Sequence, residues 1–282
     1  MLLYKMKKIL ITGNSGYIGS HLTQLLCDNY DLYGFDIQHP LVKINNFVHQ
    51  DITTTFDLNT DFDVVIHLAA KVNVGESVHF PSLYYQTNTF GTLNILKSIK
   101  TKNFIFSSTG AADSMACPYG ISKRAAEEIV EEYCTKNKID YTIFRFYNVI
   151  GQDGINPTNP DGLFFNLIKA TTTGLFNLYG NDYNTKDGSC VRDYVHVNEI
   201  CNALMTAIDN PSKNIENLGH GTGHTVKEII QIFKDVNTTN FDVNILGRRD
   251  GDIEYSVLSN PSNYIKPLYK IEDLLRINIG NT

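Results

Sequence analysis

Short apolar runs alternate with stretches in which apolar residues recur every three to four positions, and this alternation dominates the first half of the chain. Lys8-Ile-Leu-Ile-Thr12 is the first run; a glycine-rich turn closes it, and helical spacing holds from Tyr17 to Cys27, so the chain opens as strand, turn, helix. Further strand-like runs follow at Asp31–Asp36, Asn46–His49, Val64–Leu68, Asn103–Phe106 and Tyr141–Phe146, with long helical patterns at Pro81–Lys100 and Tyr119–Asn137. Apolar strands alternating with helices predict a parallel, doubly wound α/β sheet. The Asp51–Asp63 crossover, with its Thr-Thr-Thr-Phe-Asp-Leu-Asn-Thr, is a poor helix and predicts a loop or one short turn.

Beyond Asn148 the pattern loosens. Connections rich in Gly, Pro and Asn (151–162 and 179–188) surround predicted helices at Leu163–Thr173, Asn198–Asp209 and Val226–Lys234. Residues 6–150 therefore form the expected first domain and 151–282 a smaller C-terminal, ligand-binding lobe, part of which returns to the first domain.

The 282 residues are 42% hydrophobic and 19% charged, enough to bury a core without staples. With 24 basic against 30 acidic residues, a net charge of -6 and no basic block, the sequence argues against a nucleic-acid partner. No apolar stretch reaches the roughly 18 residues of a membrane span, and Met1–Lys8 lacks the apolar core of a signal peptide, so no membrane partner is expected and the cytoplasm is. The five cysteines lie far apart with no metal-site or disulfide spacing, and read as reduced thiols with no bound metal.

The turn after the first strand, Gly13-Asn-Ser-Gly16-Tyr17-Ile18-Gly19, has the form of a dinucleotide fingerprint, and it stands between a strand and a helix. Glycines there let backbone N–H groups approach a pyrophosphate, while the helix N-terminus adds partial positive charge. This is a Rossmann-type arrangement. Asp36 ends the second strand 17 residues past Gly19, where a carboxylate accepts from ribose hydroxyls and repels a 2′-phosphate; the cofactor predicted is NAD.

Tyr119 and Lys123 stand four apart on one face of a predicted helix. A nearby cation favours the phenolate of a tyrosine that is otherwise too weak an acid to act as a base near neutrality. Thr109, at the end of the strand just upstream, offers a hydroxyl to complete a Thr, Tyr, Lys proton relay.

These residues resemble the extended short-chain dehydrogenase/reductases, and among them the UDP-hexose 4-epimerase branch. The likeness also runs through His67-Leu-Ala-Ala70, Asn88-x-x-Gly91-Thr92, Ser107-Ser108-Thr109, Tyr119-Gly-x-Ser-Lys123, Arg145-Phe-Tyr-Asn148, Tyr179-Gly-Asn-Asp-Tyr183, Val191-Arg-Asp-Tyr-Val-His-Val197 and Arg248-Arg-x-Gly-Asp252. The resemblance implies NAD held by the glycine turn and Asp36, with Asp51 and Ile52 by the adenine. Leu68, Ala69, Ala70, Lys71, Asn88 and Ser107 would line its middle, with Tyr119, Lys123 and Phe146 near the nicotinamide. It implies a UDP-sugar on Ser108, Thr109, Tyr119, Asn148, Arg192 and Arg249, with Tyr179 beside the uracil and Asp252 on a ribose hydroxyl. The implied activity is epimerisation at sugar C4 through a 4-keto intermediate; a 4-keto reductase, a 4,6-dehydratase and a non-catalytic NAD-binding sensor remain alternatives. Ser256 aligns with the position that limits room beside the hexose C2 substituent, and a small residue there would admit an N-acetyl group. The resemblance further implies a homodimer through the two long helices. Only nine residues separate Thr109 from Tyr119, where the family usually has a longer loop, and Val72 stands where it often has lysine.

Overall fold

A computed structural model of the chain describes residues 6–277. The first five residues, part of the segment read as carrying no leader, and 278–282, the end of the second unit, lie outside the described residues.

Strand β1 (Lys8–Thr12) runs into the glycine turn and helix α1 (Tyr17–Leu26), followed by β2 (Asp31–Asp36), β3 (Asn46–His49) and β4 (Phe62–His67). No helix separates β3 from β4, as the Thr-rich crossover predicts. A short helix α2 (Val74–His79) precedes the predicted helix 81–100, which is itself segmented into α3 (Pro81–Tyr84), a wide π-helical turn (Tyr85–Phe90) and α4 (Gly91–Ser98). Strand β5 (Thr101–Thr109), the short α5 (Ala111–Ser114), α6 (Pro118–Asn137) and β6 (Asp140–Phe146) complete this half.

The second half contains β7 (Asn148–Ile150), α7 (Leu163–Thr173), β8 (Leu175–Tyr179), β9 (Val191–His196), α8 (Val197–Asp209), β10 (Ile215–Leu218), β11 (Gly223–Thr225), α9 (Val226–Val236), β12 (Asp242–Leu246), β13 (Tyr255–Ser256) and α10 (Ile271–Leu274). Seven strands form one sheet in the order β10-β6-β5-β4-β1-β2-β3, every neighbouring pair parallel. The order reverses between β1 and β4, so the loops leaving their carboxyl ends part there and open a crevice. Ile9, Leu10 and Ile11 of the central strand are fully buried because helices cover both faces.

Helix α8 belongs to the second half of the chain. It packs on the main sheet rather than in the second lobe: Ile200, Leu204 and Ala207 share a core with Ile9, Ile11, Val64 and Leu22 of α1. Strand β10 likewise extends the main sheet beside β6. The rest of the second half builds a separate core in which Phe164 and Leu167 of α7 and Ile229 and Phe233 of α9 pack with Phe176, Leu178 and Phe241. Around it stand a sheet in which β9 is flanked by β11, β13 and β7, and the parallel pair β8–β12.

Candidate active site

A cavity of about 1380 Å³ lies over the crevice and extends beneath the second lobe. Every site residue singled out in the sequence lines it except Asn88.

At one end the chain turns sharply. Gly13 has φ +75°, and a Cβ on it would lie 2.6 Å from the Ala69 nitrogen; one on Gly19 would lie 2.1 Å from the Gly13 oxygen. Both positions demand glycine. The Asp36 carboxylate accepts from Ser15 N–H at 3.0 Å and Gln38 N–H at 2.9 Å, which sets its orientation and leaves further lone pairs for a ligand. Asp51 and Ile52 sit beyond it, and Tyr17 closes the near wall by donating its hydroxyl to the Gly151 carbonyl.

A buried network underlies the cavity floor. Thr92 donates to the Asn88 carbonyl (2.7 Å), so its oxygen accepts from His67 Nε2–H (3.0 Å). Thr12 accepts from Ala69 N–H and donates to His67 Nδ1. The imidazole is thus a neutral Nε2–H tautomer, and burial, aided by the charge of Lys123, pushes its pKa down to about 3. Asn88 belongs to this layer: fully buried, it bonds the Lys71 N–H (2.8 Å), the Lys71 carbonyl (3.0 Å) and Ser122 Oγ (3.0 Å). Expected in the lining, it stands behind the wall instead, because its amide is committed to the backbone that forms the wall. The π-helical turn carries Asn88 to that place, and Thr89 of the same turn donates to the Ser122 carbonyl.

Tyr119, Lys123 and Thr109 meet at the centre. The short loop does not displace Thr109: α5 folds back on α6, and the Thr109 side chain hydrogen-bonds Tyr119. Burial pushes the Tyr119 phenol up to about 12, the Thr109 bond opposing. Lys123 is 3% exposed with its Nζ 4.2 Å from the Phe106 ring centroid, and burial pushes its pKa down to about 7 against the field of Glu127. The expected activation of Tyr119 by the Lys123 charge is therefore not what dominates here; lack of water disfavours charge on both. Ser107 donates to the His67 carbonyl at 2.9 Å, while Ser108 donates to the buried Glu127 carboxylate, so its hydroxyl hydrogen is directed away from a ligand.

The far wall comes from the second lobe. Arg249 lies over Tyr179, its guanidinium carbon 4.8 Å from the ring centroid, and pairs through Nε with Asp252 at 2.9 Å. Arg192 on β9 sits beside Ser256 of β13, its partner in the ladder. Asn148 donates to the Asp193 carbonyl at 3.0 Å. Sequence reasoning missed Asp161, whose carbonyl accepts from Arg249 (3.3 Å) and whose carboxylate accepts from Asn73 across the cavity mouth. A lone Asp in a Pro/Asn loop carries no signal of that role. Among the described residues, no cluster of three or more His, Cys, Asp or Glu side chains could hold a metal, and no helix is long and apolar enough to cross a membrane.

Residues 9–219 match the NAD dependent epimerase/dehydratase family. The chain is 32% identical to a UDP-glucose 4-epimerase of Halalkalibacterium halodurans, over 86% of this chain and 84% of that protein. Its fold matches the UDP-glucose 4-epimerase from Bifidobacterium longum in complex with NAD+ and UDP (TM-score 0.83, 27% identity, 95% of this chain and 96% of that one). It also matches the UDP-Glc/GlcNAc 4-epimerase from Campylobacter jejuni (TM-score 0.73, 28% identity, 95% and 96%).

Proposed function

The chain belongs to the NAD dependent epimerase/dehydratase family, and from that premise we propose that it interconverts UDP-glucose and UDP-galactose through a transient 4-keto sugar, using bound NAD. One observation carries the reading: a single cavity joins the glycine turn, the Thr109, Tyr119, Lys123 set and the wall of Tyr179, Arg192, Arg249 and Asp252. Its volume, about 1380 Å³, exceeds the roughly 300–1,000 Å³ of a pocket for one small ligand and suits a dinucleotide beside a nucleotide sugar.

The residues present fit NAD. The turn packs so tightly on backbone at Gly13 and Gly19 that it admits no Cβ, and Asp36 is held ready for ribose hydroxyls. Gly13, Gly16, Tyr17, Ile18 and Gly19 would hold the pyrophosphate, with Asp51 and Ile52 at the adenine. Leu68, Ala69, Ala70, Lys71 and Ser107 would line the middle, braced from behind by Asn88, and Phe146 would face the nicotinamide. When bound, NAD+ supplies the hydride acceptor for C4 and a positive ring in the cleft. Tyr119 removes the C4 hydroxyl proton, Thr109 orients that hydroxyl, and Lys123 supports the phenolate and reaches the adjoining ribose. Arg192, Arg249 and Asn148 grip the diphosphate, Tyr179 flanks the base and Asp252 its ribose, so the hexose can turn over while its nucleotide stays fixed.

Ser256 leaves room beside the sugar C2 position, so we include UDP-GlcNAc and UDP-GalNAc as substrates. Ser256→Tyr should lower the UDP-GalNAc rate relative to UDP-galactose by about tenfold, as steric limits on one substituent do; an unchanged ratio would remove this extension. We further propose a cytoplasmic homodimer. Leu83, Phe90 and Ile121, 40%, 65% and 39% exposed, offer apolar surface on the segmented helix and α6, and the free thiols suit a reducing compartment.

The deciding experiment incubates purified protein anaerobically, without added nicotinamide, with UDP-galactose and separately with UDP-GalNAc, and follows sugar identity by NMR. Interconversion with the gluco isomers establishes the epimerase. No conversion even with added NAD+, together with oxidation of NAD(P)H by a 4-keto nucleotide sugar, would replace it with a reductase.

A further inference from the structure

Beside the catalytic set lies a buried polar array that proton transfer does not use. Glu127 stands on α6 one turn beyond Lys123, so residues 119, 123 and 127 follow one face of the helix. Its side chain is 1% exposed and Arg145 is 5% exposed. The guanidinium grips the carboxylate with two bonds, Nε to Oε1 at 2.8 Å and Nη2 to Oε2 at 2.7 Å. Ser108, opposite Arg145 in the β5–β6 ladder, donates to the same Oε1. The remaining guanidinium nitrogen, Nη1, donates to Asp113 on α5, whose side chain is 63% exposed.

A buried ion pair gains little net stability, because desolvation offsets the attraction. What this one does is tie α6, β5 and β6 to the loop between Thr109 and Tyr119. Within that loop Ala111 N–H donates to Thr109 Oγ1 at 3.2 Å. The Ala111 carbonyl lies so close to Gly120 that a Cβ there would approach it to 2.3 Å. Thr109 in turn bonds Tyr119. Any shift of α5 therefore moves the hydroxyl on which Tyr119 depends.

We propose that Arg145, seated on Glu127, uses Asp113 as a tether to hold the short active-site loop so that Thr109 stays aligned with Tyr119. Arg145, Glu127 and Asp113 are positioning residues, acting through Thr109 and Tyr119; the kinetic consequence rests on the epimerase reading, the tether itself does not. Asp113 is the informative site to change. It is exposed, and its loss leaves Arg145 still paired with Glu127, so no buried charge is orphaned.

The test compares the full-length protein with Asp113→Ala and Asp113→Glu by hydrogen exchange, thermal melting and UDP-galactose kinetics. Asp113→Ala should speed amide exchange in residues 110–117 about tenfold, leave the Tm within about 2 °C, and lower kcat about tenfold with KM within about threefold, the signature of misplaced reacting groups. Asp113→Glu should restore kcat to within about threefold. Exchange in the loop unchanged by Asp113→Ala would overturn the tether whether or not the protein turns over. A loosened loop with unaltered kcat, or failure of Asp113→Glu to rescue, would overturn the positioning role. Absence of turnover by the unaltered protein would instead count against the epimerase reading, with loop exchange still deciding the tether.

Discussion

Lys123 and Tyr119 lie one helical turn apart where burial opposes charge on both, and the pH dependence of stability should show it. Folding takes Lys123 from 10.5 to about 7, so between those values the unfolded chain binds a proton that the folded one does not. Stability therefore rises with pH across that window and is flat with respect to this group below it. Tyr119, held up at about 12, acts with the opposite sign, but only above its ordinary value of 10.0. Lys123→Met removes the cost of a buried ammonium. On protein freed of nucleotide it should be more stable than the parent, by up to about 5 kcal/mol at pH 6 by the conversion of pKa into free energy, with the gap closing toward pH 10. Denaturant melts at the two pH values check this; a gap that stays constant with pH would mean that Lys123 keeps its proton in the fold. On the proposed relay, the same variant should also lose turnover by at least about 10²-fold. Such opposition of stability and activity at one residue is what a functional site built in a dry cleft produces.

At the scale of elements, α6 shows how much of the site could be read beforehand. Tyr119 and Lys123 at positions i and i+4 and Pro118 at the start were legible because helix periodicity is local. The glycine turn was legible for the same reason: strand, turn and helix are contiguous, and its contacts with Phe35 and Ala69 only confirm the spacing. By contrast β8 and β12 pair across more than sixty residues and β9 collects three partners from distant segments, so no short window marks them. The breaks in the 81–100 helix were equally hidden, because the π-helical turn exists to bring Asn88 to Lys71 and Ser122. Helix α6 also carries a weakness that can be tested. Its N-cap is Cys117, extended at φ -146° and ψ 160°, with no side-chain bond to the first turn. A hydroxyl in that place can accept from the N–H of Tyr119 or Gly120, so Cys117→Ser should stabilise the protein by about 1 kcal/mol in equilibrium unfolding. A loss of stability would show that packing of the thiol outweighs the cap.

For the molecule as a whole, the order of residues along the chain and the order of packing in space part company after Ile150, and folding should depend on the second. The face of the main sheet under α1 is completed by Val195, Val197, Ile200, Cys201, Leu204, Ala207 and Ile208, all from the second half, together with Leu218 on the added edge strand and Ile265. A fragment ending at Ile150 keeps the glycine turn, Asp36, Tyr119 and Lys123, yet leaves that face bare. Each large aliphatic side chain it fails to bury forgoes roughly 1.5–3 kcal/mol, and several such losses exceed the total stability of about 5–15 kcal/mol typical of a folded domain. The fragment should accordingly aggregate or melt without cooperativity, and should not retain nucleotide through gel filtration, although it holds most residues that would touch NAD. A cooperative thermal transition in residues 1–150 would show that the first seven strands and their helices suffice. The expected failure would mean that the half carrying the glycine turn owes its rigidity to a helix and a strand supplied by the second half.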